Sequence, residues 1–219
     1  MKKNITIGIA EDQTLFREGL VRLINSFEGI KVVIDSVNGK ELLDGLVDTK
    51  ADVILLDYRM PVLNGLETAK KIKDLYPATR ILILSMYDDE EFVMNAIENG
   101  ANGYLTKNDD PEEIERAIHS CVSTGYYLND RTSKLLIKNL VTRGKVQPKF
   151  DNNNVQLTAI ELKVIELICQ EMTTIEIADK IYRSSRTIEG IRTTVMRKIG
   201  ARNSIGIVMY AVKNELISI

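Results

Sequence analysis

Cysteine, histidine and tryptophan are nearly missing from this 219-residue chain, which has two, one and none of them. Cys121 and Cys169 are far apart, inside helix-like apolar patterns with no second thiol or imidazole nearby. That excludes a disulfide framework and a Cys/His metal cluster, and leaves both as reduced core thiols. His119 falls in a helical pattern, with no acid or nucleophile obviously poised beside it. No run approaches the roughly 20 apolar residues of a membrane span. Met1-Lys2-Lys3-Asn4 enters a short strand-like run, not the apolar core of a signal peptide. The expectation is a soluble, cytoplasmic protein with no membrane partner.

What is present is ordinary globular material, 44% hydrophobic and 27% charged, enough for one or two domains with real cores. The net charge of −2 conceals an asymmetry. Residues 1–125 hold 14 Lys and Arg against 22 Asp and Glu, residues 126–154 hold 6 against 2, and residues 155–219 hold 9 against 7. An acidic front joined to a mildly basic back predicts different partners for the two, with nucleic acid open to the second alone.

Val53 to Leu56 is an apolar run ending in Asp57 and then a Met60-Pro61 turn, which reads as a buried strand delivering one carboxylate to a loop. The same strand-then-helix unit occurs five times, with strands at Ile5–Ala10, Ile30–Ile34, Val53–Leu56, Arg80–Leu84 and Gly103–Leu105. Five such repeats predict an α/β fold, a doubly wound five-stranded parallel sheet with helices on both faces. The strand ends carry Glu11 and Asp12, Asp57, Ser85 and, just beyond the fifth, Lys107. Each has a plain reading as a turn acid, cap or solvated charge. Together they fall at one edge of one sheet, where open α/β sheets bind ligands.

Crowded carboxylates repel, and a hard cation such as Mg²⁺ relieves the repulsion through oxygen ligands while leaving room for phosphate oxygens. A carboxylate can also take a phosphoryl group, whose transition state spreads charge over three oxygens. Mg²⁺, the Lys107 ammonium and the Ser85 hydroxyl would meet those oxygens, with Asp57 as acceptor. No group is evidently placed to activate water, which favours a stored phosphate over fast hydrolysis.

Glu11-Asp12, Asp57 with Met60-Pro61 and Asn64-Gly65, Ser85, Tyr104 and Lys107 together resemble the receiver domain of two-component response regulators, over residues 5–125. The resemblance implies phosphorylation of Asp57 by a sensor histidine kinase. It also implies Mg²⁺ held by Asp12, Asp57 and the Arg59 backbone carbonyl, with Glu11 beside them. Ser85 and Tyr104 would form a switch that turns inward on phosphorylation, on a surface that includes Tyr87. Two small departures are Asn108 where Pro commonly follows the Lys, and Glu-Asp in place of Asp-Asp.

Residues 126–154 change character, from a possible helix at Arg131–Leu140 to a polar tether that includes Lys145 and Lys149. Beyond Leu157 everything is helical, at Thr158–Glu171, Thr174–Tyr182, Ser185–Gly200 and Ser204–Leu216. Thr158 with Glu161 has the spacing of a capping box. Leu162, Ile165, Ile168, Ile175, Ile177, Ile188, Val195 and Ile199 are among the expected core. A short helix, a tight turn at Tyr182–Ser185 and a longer helix bearing Arg186, Arg192, Arg197 and Lys198 predict a helix-turn-helix with its second helix in the major groove. A plain helical interaction module with a solvated basic face is the alternative.

Leu157-Thr158, Glu161, Val164, Glu176-Ile177-Ala178, Ser185, Thr187-Ile188 and Arg197-Lys198-Ile199 resemble the LuxR-type DNA-binding domain. The order receiver (1–125), linker (126–154), helix-turn-helix (155–219) is similar to the NarL/FixJ subfamily. The resemblance implies duplex DNA half-sites as target, a phosphorylation-linked homodimer, and contacts from Arg183, Ser185, Arg186, Thr187, Arg192, Thr193, Arg197 and Lys198. Departures are larger here. Glu171-Met172-Thr173 replaces a Gly-Leu-Ser turn, and Thr187-Ile188-Glu189-Gly190-Ile191 replaces Thr-Val-Lys-x-His. Two other functions stay open: a regulator working through protein contacts with a weakened DNA domain, and a Mg²⁺-dependent phosphohydrolase. Against the latter, Arg59 stands where haloacid-dehalogenase-type phosphatases carry a second Asp.

Overall fold

The computed structural model describes residues 4–143, 155–214 and 216. The tether residues Lys145 and Lys149 lie outside them. Five strands, β1 (Ile5–Ala10), β2 (Ile30–Ser36), β3 (Val53–Asp57), β4 (Arg80–Ser85) and β5 (Gly103–Thr106), form one sheet in the order β2-β1-β3-β4-β5. Every pairing is parallel. Each strand runs one or two residues further than its apolar core where it ends on a polar group, so β3 and β4 include Asp57 and Ser85 themselves.

Side chains alternate across the sheet, and that alternation sorts the cores. Ile54, Leu56, Ile81 and Ile83 face α2 (Gly39–Asp48), α3 (Gly65–Leu75) and α4 (Glu90–Glu98) through Leu42, Leu46, Ala69, Ile72 and Val93. Val53, Leu55, Leu82 and Leu84 face α1 (Thr14–Ser26) and α5 (Pro111–Ser123) through Leu20, Ile24, Ile114 and Ile118. Helices cover both faces, so the strands read as continuous apolar runs. Cys121 is free and fully buried in the second core, where burial pushes its thiol up to about 12. Cys169 is free as well.

After α6 (Asp130–Arg143) come α7 (Ala159–Cys169), α8 (Thr174–Lys180), α9 (Ser185–Ile199) and α10 (Ser204–Lys213). Thr158 and Thr173 each close a capping box with Glu161 and Glu176, and Ser184 caps α9 by accepting from the Thr187 N–H. Val164, Ile165, Leu167, Ile168, Ile177, Ile188, Val195 and Ile199 make the core with Ile207 and Tyr210 of α10. Leu162 and Ile175, expected inside, are 40% and 66% exposed. Each lies one residue off its helix's buried stripe, which runs through Glu161, Val164, Ile165 and Ile168 in α7 and through Thr174, Ile177 and Ala178 in α8. Helices end earlier than the apolar pattern suggested because left-handed residues stop them. Glu171 (φ 59°) follows α7 and Tyr182 (φ 55°) follows α8. The Met172 N–H then reaches back to Leu167 O and the Arg183 N–H to Ala178 O, satisfying carbonyls at the helix ends.

Candidate functional site

Parallel strands put their carboxyl ends on one edge, and the order β2-β1-β3 reverses direction between β1 and β3, leaving a crevice there. Glu11 and Asp12 follow β1, Asp57 ends β3, Ser85 ends β4, and Lys107 follows β5. Their approach depends on Gly65, where a Cβ would stand 2.2 Å from the Asp57 carbonyl oxygen. The glycine lets the first turn of α3 press against the end of β3, with the Gly65 N–H donating to Tyr58 O at 3.1 Å.

Carboxylate oxygens of Glu11, Asp12 and Asp57 lie within 4.8 Å of one another. Lys107 Nζ sits 2.7 Å from Glu11 Oε2 and 3.1 Å from Asp57 Oδ2, with its side chain almost fully buried. The Arg59 N–H points at Asp57 Oδ1 from 3.4 Å. Asp12, Asp57, Arg59, Ser85, Tyr87 and Lys107 share the lining of a cavity of about 240 Å³ at this edge. All the sequence-predicted receiver residues therefore meet around one space, Glu11 and Tyr104 standing just behind it.

Burial raises the Glu11 and Asp57 carboxyls above their usual range. Lys107 opposes the rise at both, while Asp57 adds to it at Glu11. Glu11 Oε2 is buried and, apart from its ion pair with Lys107, has no hydrogen-bond partner among the described residues. Three oxygen donors with incompletely compensated charge fit a hard divalent cation. A carboxyl whose folded pKa is raised favours the fold below its unfolded value near 4.5 and loses that contribution as pH rises through the folded value. Glu11→Gln is therefore expected to raise the melting midpoint of the metal-free protein at pH 7 and to leave it unchanged near pH 3.5. Equal midpoints at pH 7 would show that Lys107 already compensates the charge.

On the rim, the Arg59 guanidinium lies 4.4 Å from the Tyr87 ring centroid and donates to the Tyr87 hydroxyl at 2.9 Å. Tyr87 stacks on Phe92 at 4.7 Å, and Phe92 meets Tyr58 edge-on. Tyr104, expected to turn inward on phosphorylation, is already inward in this structure, 2% exposed, with its hydroxyl donating to Tyr87 O at 2.6 Å. Burial pushes that hydroxyl up to about 12, so it stays a donor. Ser85 Oγ accepts from the Tyr87 N–H at 3.0 Å. Ser85 and Tyr104 thus hold the same backbone segment from two sides.

Residues 7–119 match the response regulator receiver domain, and residues 155–211 match the LuxR family of bacterial regulatory proteins. The chain belongs to the response regulators. This regulator is 32% identical over 213 residues to the oxygen regulatory protein NreC of Staphylococcus aureus, across 96% of this chain and 98% of that one. A LuxR-family two-component response regulator from Aurantimonas sp. SI85-9A1 is 29% identical, with a TM-score of 0.59, over 63% of this chain and 99% of its own. RcsB of Salmonella enterica serovar Typhimurium, bound to promoter P1flhDC with the phosphomimetic BeF3−, shares the fold. It aligns with a TM-score of 0.56 at 24% identity, over 96% of this chain and 99% of that one.

In the regulator's C-terminal unit, α8, the turn and α9 form the helix-turn-helix. Arg183, Ser185, Arg186, Thr187, Thr193 and Arg197 are exposed. Lys198 is half-buried, its Nζ 2.7 Å from Glu161 Oε2 and 3.1 Å from Gln156 O. Arg192 does not join that face in this conformation. It is 1% exposed and donates through Nη2 to the Thr124 carbonyl of the receiver and through Nη1 to Thr174 Oγ1 at 2.8 Å. Gly125 (φ 92°) makes room, since a Cβ there would lie 3.2 Å from Arg192 Nη1 and 2.7 Å from Ser204 Oγ.

Beside Arg192, Glu189 accepts from Arg80 Nη2 of β4 at 2.9 Å and from Thr174 Oγ1 at 2.9 Å. Burial raises the Glu189 carboxyl, but Arg80 and Arg192 outweigh it and hold the pKa below the usual range. On the other side of the seam Asn203 donates to Ile97 O at 3.2 Å and to Ala101 O, and Ile205 and Met209 of α10 enter the receiver's own core. The receiver therefore occupies part of the helix expected to read DNA. Sequence reading missed Arg80, Thr124 and Asn203 as seam contacts. The one available signal was a charged residue opening an otherwise apolar strand at Arg80.

Proposed function

We propose that the regulator is a cytoplasmic, phosphorylation-controlled transcription regulator. In it Asp57 takes a phosphoryl group from a sensor histidine kinase and residues 155–219 bind paired duplex-DNA half-sites as a homodimer. The N-terminal 125 residues serve as receiver and residues 126–154 as linker. The meeting of Asp57 with Glu11, Asp12 and Lys107 at one sheet edge supports this most directly.

Asp57 Oδ attacks phosphorus as the nitrogen–phosphorus bond of the phosphohistidine breaks, and the imidazole leaves with the electron pair. Asp12, Asp57 and the Arg59 carbonyl, supported by Glu11, would hold Mg²⁺, which supplies charge to neutralise phosphoryl oxygens. Lys107 remains the fixed cation for a second oxygen, and the Ser85 hydroxyl turns from its local contact to meet a third. That turn withdraws the acceptor of the Tyr87 N–H, so the Tyr87 segment and Tyr104 shift together. This backbone continues into Asp88, which pairs with Arg131 of α6, the helix leading to the second unit.

Output then depends on releasing α9. Arg192 Nε is buried with no hydrogen-bond partner among the described residues, so docking leaves one donor uncompensated, a cost of about 1–3 kcal/mol that favours undocking. The direct test is a mobility shift of the fragment upstream of its own gene, with the full chain treated with a small acyl phosphate and Mg²⁺. Binding should tighten at least roughly tenfold on phosphorylation. It should weaken with salt, and Arg186→Ala should reduce both affinity and salt slope. No salt-dependent shift in either state would favour the regulator that works through protein contacts.

A further inference from the structure

A lysine ammonium is a compact charge on a flexible four-carbon stem, so its place in a site is set by what surrounds it. Lys107 is held at its root and at its tip. Its backbone N–H donates to Ser85 O at 2.8 Å, and just before it the Thr106 N–H and hydroxyl donate to the Asp109 carboxylate at 2.8 and 2.7 Å. The tip pairs with Glu11 and Asp57, and it also lies over the Phe16 ring, with Nζ 4.8 Å from the centroid. The Lys107 side chain is 3% exposed, so little solvent weakens the attraction of the ring face for the cation.

Phe16 is the third residue of α1 and packs half-buried against the core that α1 shares with α5, whereas its neighbour Leu15 is 87% exposed. The helix start that carries the ring is tied to Glu11. The Gln13 N–H donates to Glu11 Oε1 at 3.1 Å, and Arg17 Nη1 donates to Glu11 O at 2.9 Å. One turn of chain therefore sets both the carboxylate and the ring that engage the ammonium. The space around the ammonium is also divided. Lys107 lines the cavity that holds Asp57 and, with Phe16, Leu20 and Ile114, a second cavity of about 540 Å³ between α1 and α5. An ammonium drawn back into the second cavity would leave the phosphoryl oxygens, and Phe16 lines only that second cavity, against the ammonium.

We propose that Phe16 is a positioning residue for phosphoryl transfer: its ring face keeps the Lys107 ammonium on the Asp57 side of the border between the two cavities. This rests on the reading of Asp57 as phosphoacceptor above. The ring attracts the cation through its quadrupole and offers no lone pair. With Glu11 and Asp57 as its ion-pair partners, the ammonium, which has three N–H donors, keeps one for the incoming phosphoryl oxygen.

The experiment measures the rate constant of phosphorylation of the full chain by a small acyl phosphate with Mg²⁺, read from the intact mass, for the wild type, Phe16→Leu, Lys107→Ala and the double variant. Phe16→Leu keeps an apolar side chain and removes the ring face. It is expected to slow phosphorylation roughly 2- to 30-fold, the span of a cation–π contact. Lys107→Ala should slow it as well, and in that background Phe16→Leu should cost nothing further, because the ring has no cation to hold. Phe16→pentafluorophenylalanine keeps the ring's shape and reverses its charge distribution, so it should slow the reaction as Phe16→Leu does while the melting midpoint stays near that of the wild type. It also decides the matter where Phe16→Leu fails to fold. A ring that serves packing alone would give the wild-type rate with the fluorinated ring, and Phe16→Leu would cost the same factor with or without Lys107. Either result overturns this inference while Asp57 remains the acceptor. If the wild type takes up no phosphate, or Lys107→Ala is phosphorylated at the wild-type rate, the reading of the phosphorylation site has failed and this inference falls with it.

Discussion

Asp57→Asn is expected to take the regulator from one incorporated phosphoryl group per chain to none detectable, and to make its DNA affinity indifferent to a phosphodonor. An amide oxygen is a poor nucleophile, and no other carboxylate is equivalently placed. Glu11 Oε2 is engaged 2.7 Å from Lys107, and Asp12 lies on the exposed side of the cluster. Neither sits against the Arg59 N–H and Lys107 together as Asp57 does. Loss of the fold would not confuse the result. Burial raises the Asp57 pKa, so a neutral side chain relieves an unfavourable charge at pH 7 and the melting midpoint should hold or rise. Mass spectrometry of the intact chain after treatment with a small acyl phosphate reads the stoichiometry. Labelling of the variant at the wild-type level would sink the assignment of Asp57 as acceptor.

Reversing Arg80 should have the second large effect, in the opposite direction. With Arg80→Glu the unphosphorylated regulator is expected to bind its DNA roughly 5- to 150-fold more tightly, the span of a coupling of about 1–3 kcal/mol. The docked state sets Glu189 of α9 against Arg80, and a second carboxylate in that place repels it. Arg80 lies on β4 of the receiver, outside the helix-turn-helix, so the change does not alter DNA contacts themselves. Arg80→Met, which keeps length and removes only the cation, should give a smaller gain, and thermal melts of both variants report on the sheet. The seam would not be a brake if both variants remained folded and bound DNA with wild-type affinity in both phosphorylation states.

The same pair accounts for the departure that most favoured a weakened DNA domain. Glu189 replaces a lysine in the recognition helix, which in isolation places a negative charge near DNA. In the docked conformation that carboxylate is held by Arg80, Thr174 and Arg192. Arg183, Arg186 and Arg197 remain on the exposed side. Glu189 thus has a receiver-facing role that needs no contact with nucleic acid.

Much of this protein was settled by local pattern. Apolar runs bounded by turn residues identified all five strands, and the order of strand and helix dictated a parallel sheet whose carboxyl ends converge. Glu11, Asp12, Asp57, Ser85 and Lys107 could therefore be assembled on paper, since each is fixed to a strand end and strand ends in such a sheet share one edge. The helix start at Thr158 was legible because a capping box is made by residues three apart. The sequence could not decide which side of α9 would meet DNA and which the receiver. Arg186 and Arg192 are alike in charge and both sit on one helix, yet the first is exposed and the second is buried against Thr124, 68 residues earlier. Burial of that kind depends on how the two units pack against each other, which no periodicity within either encodes. The residues gathered around Asp57 were written in the order of the chain; the contact of α9 with the receiver exists only where β4, α5 and α9 come together.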